Sequence, residues 1–533
     1  MKYKLLIFCI SWLIATISNA QLAITWQNCF GGTEYDKPYD IIKNDDSYLI
    51  IGYTESSDGD ISYNHGEQDV WLIIIDNNGE LLHEKTFGGS EGDVGRVILK
   101  DSIGYFYLLC EAWSSDYDIS NDPYPNSGDF WVVKIDSSWN IIWDKIMGGT
   151  WLDRVETGII TNDNCVLAQG HTGSPDGDVS TYFGEYDIWQ TKLNNNGEFL
   201  WDFTLGTLGF DYGAAVIQTS DNGFLVGGYT RVEDGGGNID CIPHSWYGEA
   251  LLVKLDSNRN IEWQQCYGGS ENENMFDLIE VVDGYVFLAM TYSNDGDLLN
   301  TSYHGESDIW VAKTDFYGNI IWQECYGGTK SEAAKQIFKI DDGGFIIVGQ
   351  TCSNDGDVSG NHSWSYNHDI WIFKIDDYGL LEWQQCLGGV GDEWLEQGAI
   401  KNSNNSFVVA AWTDRGPSYD VACTSYYPGS PDYWIFEVSD TTVGINEVTY
   451  SIRSDLMEIY PNPATSTIHI TLNESDQSGH ISIFNVQSMM IDAYEIKNGI
   501  SVDVDVSSYA PGIYIAIFQT FDGCIKRSKF VVH

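Results

Sequence analysis

Short apolar runs, separated by Gly-, Asp- and Asn-rich punctuation, fill most of the 533-residue chain. The segment Ala333–Gly389 shows this pattern most clearly. Its four apolar runs are Gln336–Ile340, Phe345–Gln350, Ile370–Ile375 and Leu380–Leu387. Each run has the length of a β-strand rather than that of a helix. The segment therefore predicts a unit of four strands.

This unit recurs along the chain with a period of about 60 residues. A Gly-Gly anchor, once changed to Gly-Thr, marks the seven copies at Gly31-Gly32, Gly88-Gly89, Gly148-Gly149, Gly206-Thr207, Gly268-Gly269, Gly327-Gly328 and Gly388-Gly389. An Asp-x-Trp anchor marks six of them with Trp71, Trp131, Trp189, Trp310, Trp371 and Trp434. The fourth copy has Glu249-Ala250-Leu251 in its place. Seven units of four strands predict an all-β, seven-bladed β-propeller.

Two features favour a propeller over a sandwich or a solenoid. The run Ile370–Phe373 is apolar on both faces, as expected for a strand covered on both sides, whereas a half-exposed sandwich strand alternates. The segment Ala23–Phe30 matches the fourth strand of a copy, and the last copy ends at its third strand, Tyr433–Val438. We therefore expect the N-terminal strand to complete the last blade and close the ring, which removes open sheet edges.

Residues 1–20 have the pattern of a secretory signal peptide. Lys2 and Lys4 precede the apolar run Leu5–Ile17, and Ser18-Asn19-Ala20 follows it. We predict cleavage after Ala20. The apolar run is short for a membrane span, so a single anchoring helix is the weaker alternative, and no transmembrane segment is predicted.

The formal net charge is −52, from 78 Asp and Glu against 26 Lys and Arg. A surface this acidic repels phosphate backbones, so nucleic acid is excluded as an expected partner. The same charge suits solubility outside the cell and weak binding of cations.

Eleven cysteines are present, one of them inside the predicted signal peptide. Four occupy one equivalent strand position in different copies: Cys29, Cys266, Cys325 and Cys386. These positions are too far apart to pair with each other, and we interpret the four as small buried hydrophobes. Cys241 and Cys423 lie in irregular loops and could each form a disulfide, whose partner the sequence does not identify.

Carboxylates recur at three places in the copies. One stands four residues past each Gly-Gly anchor: Asp36, Asp93, Asp153, Asp211, Glu273, Glu332 and Glu393. Another stands two residues before each anchor Trp: Asp69, Asp129, Asp187, Asp308, Asp369 and Asp432. The third is an Asp-Gly-Asp loop, with Asp58, Asp60, Asp176, Asp178, Asp295, Asp297, Asp355 and Asp357, and Asp116 and Asp118 as a variant. In a four-stranded blade, the loops carrying all three lie on one face.

Two interpretations of these acids remain open. Short Asp side chains in tight loops bind backbone N–H groups and set the turn, and an acid repeated in every blade is typical of a scaffold. Alternatively, the Asp-Gly-Asp carboxylates supply oxygen ligands to Ca²⁺, a cation that prefers six to eight of them. The spacing is not that of a known calcium loop, so Ca²⁺ is a candidate cofactor only.

Two copies depart from the repeat, and we expect a specific ligand site at such departures. Their loops carry an arginine and aromatic residues: Arg231, Trp246 and Tyr247 in copy four, and Arg415, Tyr426 and Tyr427 in copy seven. Loop aromatics can stack on sugar rings, and arginine can hold a carboxylate. Insertion tolerance at loop tips is the alternative. His65, His304 and His368 precede the Asp-x-Trp anchor in three copies, and we interpret them as loop-packing residues rather than catalytic ones.

Beyond the last copy the composition changes. Residues 21–440 form the predicted propeller, 441–455 a polar linker, and 456–533 a run of alternating strands that predicts a small Ig-like β-sandwich. The motif residues of this last segment are Pro461, Asn462, Pro463, Gly512, Tyr514, Lys526 and Lys529. Their order, spacing and terminal position resemble the type A-like C-terminal sorting domain of type IX secretion cargo. The repeats resemble the uncharacterised propeller-like regions that often precede such domains.

The resemblance implies a route out of the cell. The signal peptide would direct the chain across the inner membrane, and the sorting domain would engage the type IX secretion machinery in the outer membrane of a Gram-negative bacterium. Release, or attachment to the cell surface, would follow. The resemblance implies no activity for the repeats.

The zinc-hydrolase motif H-E-x-x-H does not occur in the chain. The near-equivalent copies favour a secreted, non-catalytic propeller that binds glycan or protein ligands on its acidic loop face. The alternative is a secreted polysaccharide-acting hydrolase with carboxylates such as Glu273 and Glu332 at the central opening. A structural role in a surface layer is a third hypothesis.

Overall fold

The computed structural model describes residues 22–440 with gaps at 232–235, 342, 363–365 and 404–405. It also describes 457–532 with gaps at 461–463, 465, 473–478, 486–489, 497–500, 510–511 and 521–524. The predicted signal peptide with its cleavage position at Ala20, and the predicted linker 441–455, lie outside the described residues. The chain divides into two compact units, residues 1–442 and 443–533.

The first unit begins with β1 (Leu22–Phe30). Consecutive strand sets follow: β2 (Asp36–Asn44), β3 (Ser47–Thr54), β4 (Asp69–Asp76) and β5 (Leu81–Phe87); β6 (Asp93–Lys100), β7 (Phe106–Ala112), β8 (Asp129–Ile135) and β9 (Ile141–Met147); β10 (Asp153–Ile160), β11 (Val166–Thr172), β12 (Asp187–Leu193) and β13 (Phe199–Leu205).

The later sets are β14 (Asp211–Gln218), β15 (Phe224–Thr230), β16 (Glu249–Leu255) and β17 (Ile261–Tyr267); β18 (Glu273–Val281), β19 (Gly284–Thr291), β20 (Asp308–Thr314) and β21 (Ile320–Tyr326); β22 (Glu332–Lys339), β23 (Phe345–Thr351), β24 (Asp369–Ile375) and β25 (Leu381–Leu387); and β26 (Glu393–Ser403), β27 (Ser406–Thr413) and β28 (Asp432–Asp440). A 3₁₀ turn, Gly296–Leu298, precedes β20, and the described residues contain no α-helix.

The sheets follow the repeat. The sets β6–β9, β10–β13, β14–β17, β18–β21 and β22–β25 each form a four-stranded antiparallel sheet in chain order. The other strands form an eight-stranded sheet in the order β1-β28-β27-β26-β2-β3-β4-β5, whose halves meet at one parallel bridge between Asp40 and Gln397. An all-β chain of many small four-stranded sheets is consistent with the predicted propeller-like fold.

The core lies between neighbouring sets. Strands β7 and β8 are buried at every residue, whereas β9, the fourth strand of the same sheet, is partly exposed. One hydrophobic cluster joins Ile51 of β3 to Leu108 of β7 and Val133 of β8, which belong to the next sheet. A sheet covered on both faces needs apolar residues on both, so its inner strands do not alternate.

The N-terminal strand completes the last set. β1 pairs antiparallel with β28, in a register that runs from Leu22 opposite Asp440 to Phe30 opposite Tyr433. The two ends of the first unit therefore share one sheet, as the strand pattern predicted.

Two disulfides correct the interpretation of the cysteines. Cys29 of β1 is bonded to Cys423, 394 residues away, and Cys266 is bonded to Cys241. The prediction that Cys29 and Cys266 are unpaired hydrophobes is wrong, because each faces a loop cysteine that the repeat does not contain elsewhere. Cys325 and Cys386, the other members of that set, are free and buried.

The second unit contains seven strands among its described residues: β29 (Met457–Tyr460), β30 (Thr467–Leu472), β31 (Gly479–Asn485), β32 (Met490–Ile496), β33 (Ser501–Asp505), β34 (Gly512–Thr520) and β35 (Ile525–Val532). They form a three-stranded sheet, β29-β30-β33, and a four-stranded sheet, β32-β31-β34-β35. Ile468 and Val504 of the first sheet share one core with Ile481 and Phe518 of the second.

The predicted sorting-motif residues lie in different parts of this unit. Pro461-Asn462-Pro463 is outside the described residues. Gly512 begins β34, Tyr514 is buried in the same strand, and Lys526 and Lys529 belong to β35. Within the described part of the chain, no helix has the length and apolar character needed to span a membrane.

The disulfide between β1 and the loop before β28 should stabilise the first unit, because it joins residues 394 positions apart. Cross-linking distant residues restricts the unfolded chain most. We expect the double substitution Cys29→Ser and Cys423→Ser to lower the free energy of unfolding by about 2–5 kcal/mol in guanidinium titrations. The matched control is Cys386→Ala, at the equivalent strand position without a disulfide. A double variant no less stable than this control would contradict the prediction.

Candidate functional site

The three carboxylate clusters meet around the Gly-Gly anchors. At the first anchor, Gly31-Gly32, the second glycine donates its N–H to Asp36 at 2.7 Å. The following residue, Thr33, donates its N–H to Asp58 at 2.9 Å. Asp432 lies against the first glycine, where an added Cβ would overlap its carboxylate. Each anchor is therefore the point at which the acids of neighbouring sets are brought together.

The Asp-Gly-Asp aspartates bind the main chain of the anchor loop. Asp60 accepts a hydrogen bond from the N–H of Gly31 at 3.1 Å, and Gly59 between the two acids has φ 69°, a conformation that favours glycine. The same bonds to the anchor or the residue after it are made by Asp176 (2.9 Å), Asp178 (3.3 Å), Asp295 (2.7 Å), Asp297 (3.1 Å), Asp355 (2.8 Å) and Asp357 (3.3 Å).

This geometry bears on the calcium hypothesis. Among the described residues, no group of three or more His, Cys, Asp or Glu side chains is placed to hold a metal ion. Calcium binding by the eight aspartates stays a prediction, and their hydrogen bonds agree better with the scaffold interpretation.

The acids four residues past the anchors are all fully buried. Glu273 accepts hydrogen bonds from the Gly269 N–H at 3.0 Å and from the Thr291 hydroxyl at 2.8 Å. Glu332 does the same with Gly328 at 2.8 Å and with a threonine of β23. The hydrolase hypothesis placed these two glutamates at the central opening. The structure does not favour it, because both carboxylates face the interior of their own loop.

A second buried carboxylate lies beside each of these acids. At Gly88, an added Cβ would stand 2.7 Å from Asp69 Oδ1 and 2.8 Å from Asp93 Oδ2, so only a glycine leaves room for both. The Oδ1 atoms of the Asp-x-Trp aspartates are buried without a hydrogen-bond partner at Asp69, Asp129, Asp187, Asp308, Asp369 and Asp432. Each junction between sets therefore contains a pair of buried carboxyl groups.

Burial raises the pKa of these groups. It raises the pKa of Asp187 and Glu332 to about 7 and that of Asp211 to about 6. Desolvation penalises the charged form of a carboxyl group, and a second carboxylate nearby adds to this penalty.

Histidines pack beside the pair in several sets, and His65 and His304 are among them. The Nδ1 atom lies close to the Asp-x-Trp acid or its replacement at His65 (2.6 Å), His244 (3.0 Å), His304 (2.9 Å) and His362 (2.8 Å). His368 instead contacts Asp392 at 2.9 Å. Sequence reasoning missed His244 and His362, which stand five and seven residues before the acid, whereas His65 and His304 stand four residues before it.

A cavity of about 400 Å³ lies where the first strands of all the sets converge. Residues of β2, β6, β10, β14, β18, β22 and β26 line it, together with Tyr229 of β15. The volume is within the range of about 300–1,000 Å³ that is usual for small-molecule sites. The acid loops themselves contribute none of the lining residues.

A β-bulge in each first strand supplies the cavity with side chains. In β6, Gly95 pairs with Cys110 and Val97 with Leu109, so Arg96 is left without a partner. The equivalent residues, three past each post-anchor acid, are Tyr39, Arg96, Glu156, Ala214, Phe276, Lys335 and Glu396. All of them line the cavity. A bulge leaves one residue outside the ladder and redirects its side chain, which explains how these positions reach the centre.

Sequence reasoning missed these seven positions. The only sequence feature that marks them is variation, because they differ in charge and size while the acid three residues before them is kept. Neither periodicity nor composition indicates that a bulge stands there.

One side of the cavity carries an arginine cluster. Arg96 is 3.2 Å from Glu111, and its guanidinium lies 4.4 Å from the centre of the Tyr39 ring. The Nε atom of Arg154 is 2.9 Å from Glu156 and 3.4 Å from Glu111. These contacts hold both guanidinium groups in fixed positions.

The other charged side is simpler. Lys335 is 3.1 Å from Glu396 and 4.8 Å from the centre of the Phe276 ring.

His171 packs against Tyr212 of the cavity wall, with 4.7 Å between the ring centres. Burial lowers the pKa of His171 to about 3, so its imidazole ring is neutral at neutral pH.

The predicted loop residues of copy four stand next to the cavity wall. The Tyr229 hydroxyl donates to the carbonyl of Tyr247 at 2.9 Å, and the Arg231 Nε–H donates to the same carbonyl at 3.0 Å. Trp246, 71% exposed, belongs to the same loop. Of the predicted loop aromatics, Tyr247 is thus bonded directly to a cavity residue.

The predicted residues of copy seven do not line this cavity. Tyr427 borders a separate, shallow hollow with Tyr35, and the Tyr426 hydroxyl donates to Asp60 at 3.3 Å. Arg415 is close to Asp414, at 3.9 Å, and its side chain is 57% exposed. The structure therefore separates the two groups of loop residues that the sequence treated alike.

Comparison with known proteins identifies the C-terminal segment. Residues 458–533 match the family of the secretion system C-terminal sorting domain, which confirms that prediction. No curated protein matches the chain. The domain supports secretion by the type IX route, to the cell surface or the extracellular space, and interaction with that machinery.

Solved structures resemble the chain only remotely. The full extracellular region of Plexin A4 covers 95% of this chain and 62% of its own, with 7% identity and a TM-score of 0.44. Puromycin hydrolase covers 94% and 62%, with 9% identity and a TM-score of 0.40. Drosophila Plexin A in complex with Semaphorin 1b covers 79% and 88%, with 9% identity and a TM-score of 0.38. Likeness at this level assigns no activity.

The buried carboxyl pairs predict an unusual dependence of stability on pH. The folded-state pKa values of Asp187 (about 7) and Asp211 (about 6) exceed those of unfolded aspartate. Their stabilising contribution is therefore complete below about pH 4 and is lost as the pH rises through about 6 to 7. We expect the free energy of unfolding, measured with urea, to fall by several kcal/mol between about pH 5 and about pH 8.

Asp187→Asn tests the origin of this effect, because asparagine nearly keeps the shape of the side chain and removes one titrating carboxyl group. We expect the variant to lose part of the pH dependence, whereas the exposed control Glu67→Gln keeps all of it. A free energy of unfolding that rises from about pH 5 to about pH 8, or identical curves for the two variants, would contradict the assignment.

Proposed function

We propose that residues 21–440 form a seven-bladed β-propeller that binds an extracellular ligand in its central cavity without chemical turnover. The five four-stranded sheets and the two halves of the eight-stranded sheet would be the blades, and the pairing of β1 with β28 would close the ring. A linker at 441–455 would join it to the sorting domain at 456–533, which carries the protein to the cell surface or beyond.

This proposal rests on which positions of the repeat are kept and which ones vary. The loops repeat the same buried acids at every junction, as a scaffold does. The seven bulged positions of the first strands instead present six kinds of side chain to one cavity. Binding sites need unlike groups at defined places, and a symmetric fold obtains them by varying one equivalent position.

Ion pairing within the cavity supports binding rather than catalysis. Arg96, Arg154 and Lys335 each lie within 3.2 Å of a glutamate oxygen, so the charged groups are held in place by one another. Side chains fixed in this way lose little further conformational entropy when a ligand binds. The loop of Arg231, Trp246 and Tyr247 extends the same site toward the loop face.

Binding should depend on the aromatic wall of the cavity. We expect the double substitution Tyr212→Ala and Tyr229→Ala to weaken binding at least tenfold, since it removes apolar contact area. The measurement is binding of the mature protein to immobilised cell-surface glycans and cell-surface proteins. The control is Tyr378→Ala, an 80% exposed side chain away from the cavity. Equal losses in the double variant and the control would reject the cavity as the site.

Export should require the C-terminal segment. Deletion of residues 458–533 is expected to retain the protein in the periplasm, because this segment matches the sorting domain. Cell fractionation followed by immunoblotting measures the distribution. Lys335→Gln, a change inside the cavity, should be exported like the unmodified chain. A deleted chain recovered outside the cell in normal amounts would disprove this role.

A further inference from the structure

We infer that the central cavity binds the uncharged terminal sugar of a glycan and discriminates against sugars that carry a carboxylate. This inference rests on the proposed binding function and names the chemical class of its ligand. It is drawn from the charge balance of the cavity, from its unmatched hydrogen-bond donors, from its apolar wall and from a bond that crosses it.

The charged groups in and directly beside the cavity balance. The cations Arg96, Arg154 and Lys335 are each paired with a carboxylate. Glu156 and Glu396, which line the cavity, and Glu111, which lies behind the two arginines, supply those partners. A charged ligand would bring one unmatched charge into a partly enclosed site, which is unfavourable. For an anion, the net charge of −52 on the chain adds long-range repulsion. A neutral ligand incurs neither cost.

The arginine cluster has hydrogen-bonding capacity left over. The Nε atom of Arg96 is buried and has no hydrogen-bond acceptor among the described residues. Arg96 as a whole is only 7% exposed, so bulk water does not readily satisfy it. A buried donor without an acceptor is costly, and a ligand oxygen placed there would remove that cost.

Hydroxyl groups suit this arrangement better than other neutral groups. A hydroxyl accepts from a guanidinium N–H and donates to a carboxylate, and the cluster offers both within a few ångströms: the Nε atom of Arg154 is 2.9 Å from Glu156. A sugar ring carries several hydroxyls around its edge. It can therefore contact both members of an ion pair without breaking it.

The apolar part of the cavity wall suits the C–H face of a sugar ring. Tyr212, Tyr229, Met275 and Phe276, from β14, β15 and β18, form an apolar and aromatic side of the cavity. The C–H face of a pyranose packs on such rings, while its hydroxyls point sideways toward polar groups. One cavity thus presents both kinds of surface.

A bond across the cavity indicates that the ligand is a chain end. The side-chain amide of Gln397 in β26 donates to the carbonyl of Glu156 in β10 at 3.4 Å, although the two strands are not neighbours in a sheet. This contact obstructs passage between them. With a volume of about 400 Å³, the cavity accommodates a terminal unit rather than a polymer that threads through.

The test uses the mature full-length protein and isothermal titration calorimetry. The probes are oligosaccharides that end in glucose, galactose, mannose or N-acetylglucosamine, each compared with oligosaccharides that end in glucuronate or galacturonate. We expect at least one neutral-ended probe to bind, and every uronate-ended probe to bind at least tenfold more weakly. Arg154→Gln should weaken neutral binding at least tenfold, and Arg259→Gln, an arginine stacked on Trp201 at 4.4 Å, should leave it unchanged.

A second variant tests the discrimination itself. Glu156→Gln removes one negative charge from the cavity at nearly constant shape, so we expect it to narrow the difference between uronate-ended and neutral probes. Thermal unfolding of each variant shows whether it is folded, and Lys335→Gln replaces Arg154→Gln if the latter is not. In that case, at least tenfold weaker neutral binding by Lys335→Gln supports the inference, and unchanged binding overturns it.

The remaining outcomes are decisive. Uronate-ended probes that bind as tightly as neutral ones overturn the inference, as does unchanged neutral binding in a folded Arg154→Gln protein. If no sugar binds but a cell-surface protein does, and Tyr212→Ala with Tyr229→Ala abolishes that binding, the sugar inference fails while the proposed function stands. If no ligand of either class binds, both fail.

Discussion

The fold depends on a buried carboxylate at every junction between strand sets. Each post-anchor acid accepts the N–H of the anchor and is itself fully buried, as Glu332 illustrates with its 2.8 Å bond to Gly328. This bond ties the end of one set to the first strand of the next. A second buried carboxyl group stands across the anchor glycine, which is why the position has no room for a side chain.

The same constraint removes the acids beside the anchors from consideration as chemical groups. A chain with 78 carboxylates offers many pairs that resemble catalytic dyads, but the pairs repeated at the anchors are buried at the junctions between strand sets. These acids position the strand sets relative to one another. Because the junctions hold the sets at a regular spacing, the first strands converge on one cavity, and the bulge in each strand delivers one unpaired residue to it.

The cavity differs from the rest of the molecule in its electrostatics. The chain is strongly acidic overall, whereas the cavity contains arginine and lysine paired one to one with glutamate, as in the contact of Lys335 with Glu396 at 3.1 Å. Outside, the charge keeps the exported protein soluble and repels anionic polymers. Inside, the charged side chains are paired with one another, and the inferred preference for a neutral ligand rests on this difference.

The repeat, the strands, the all-β class and the sorting domain could be predicted from sequence, because apolar periodicity and local motifs depend on neighbours along the chain. The pairing of Cys29 with Cys423 could not, since the two are 394 residues apart and meet only in the folded unit. The sequence also did not show that Glu273 is buried inside its loop or that Arg96 lines the cavity. Burial and the position of a bulge are properties of the packed sheets, so only the tertiary structure decided them.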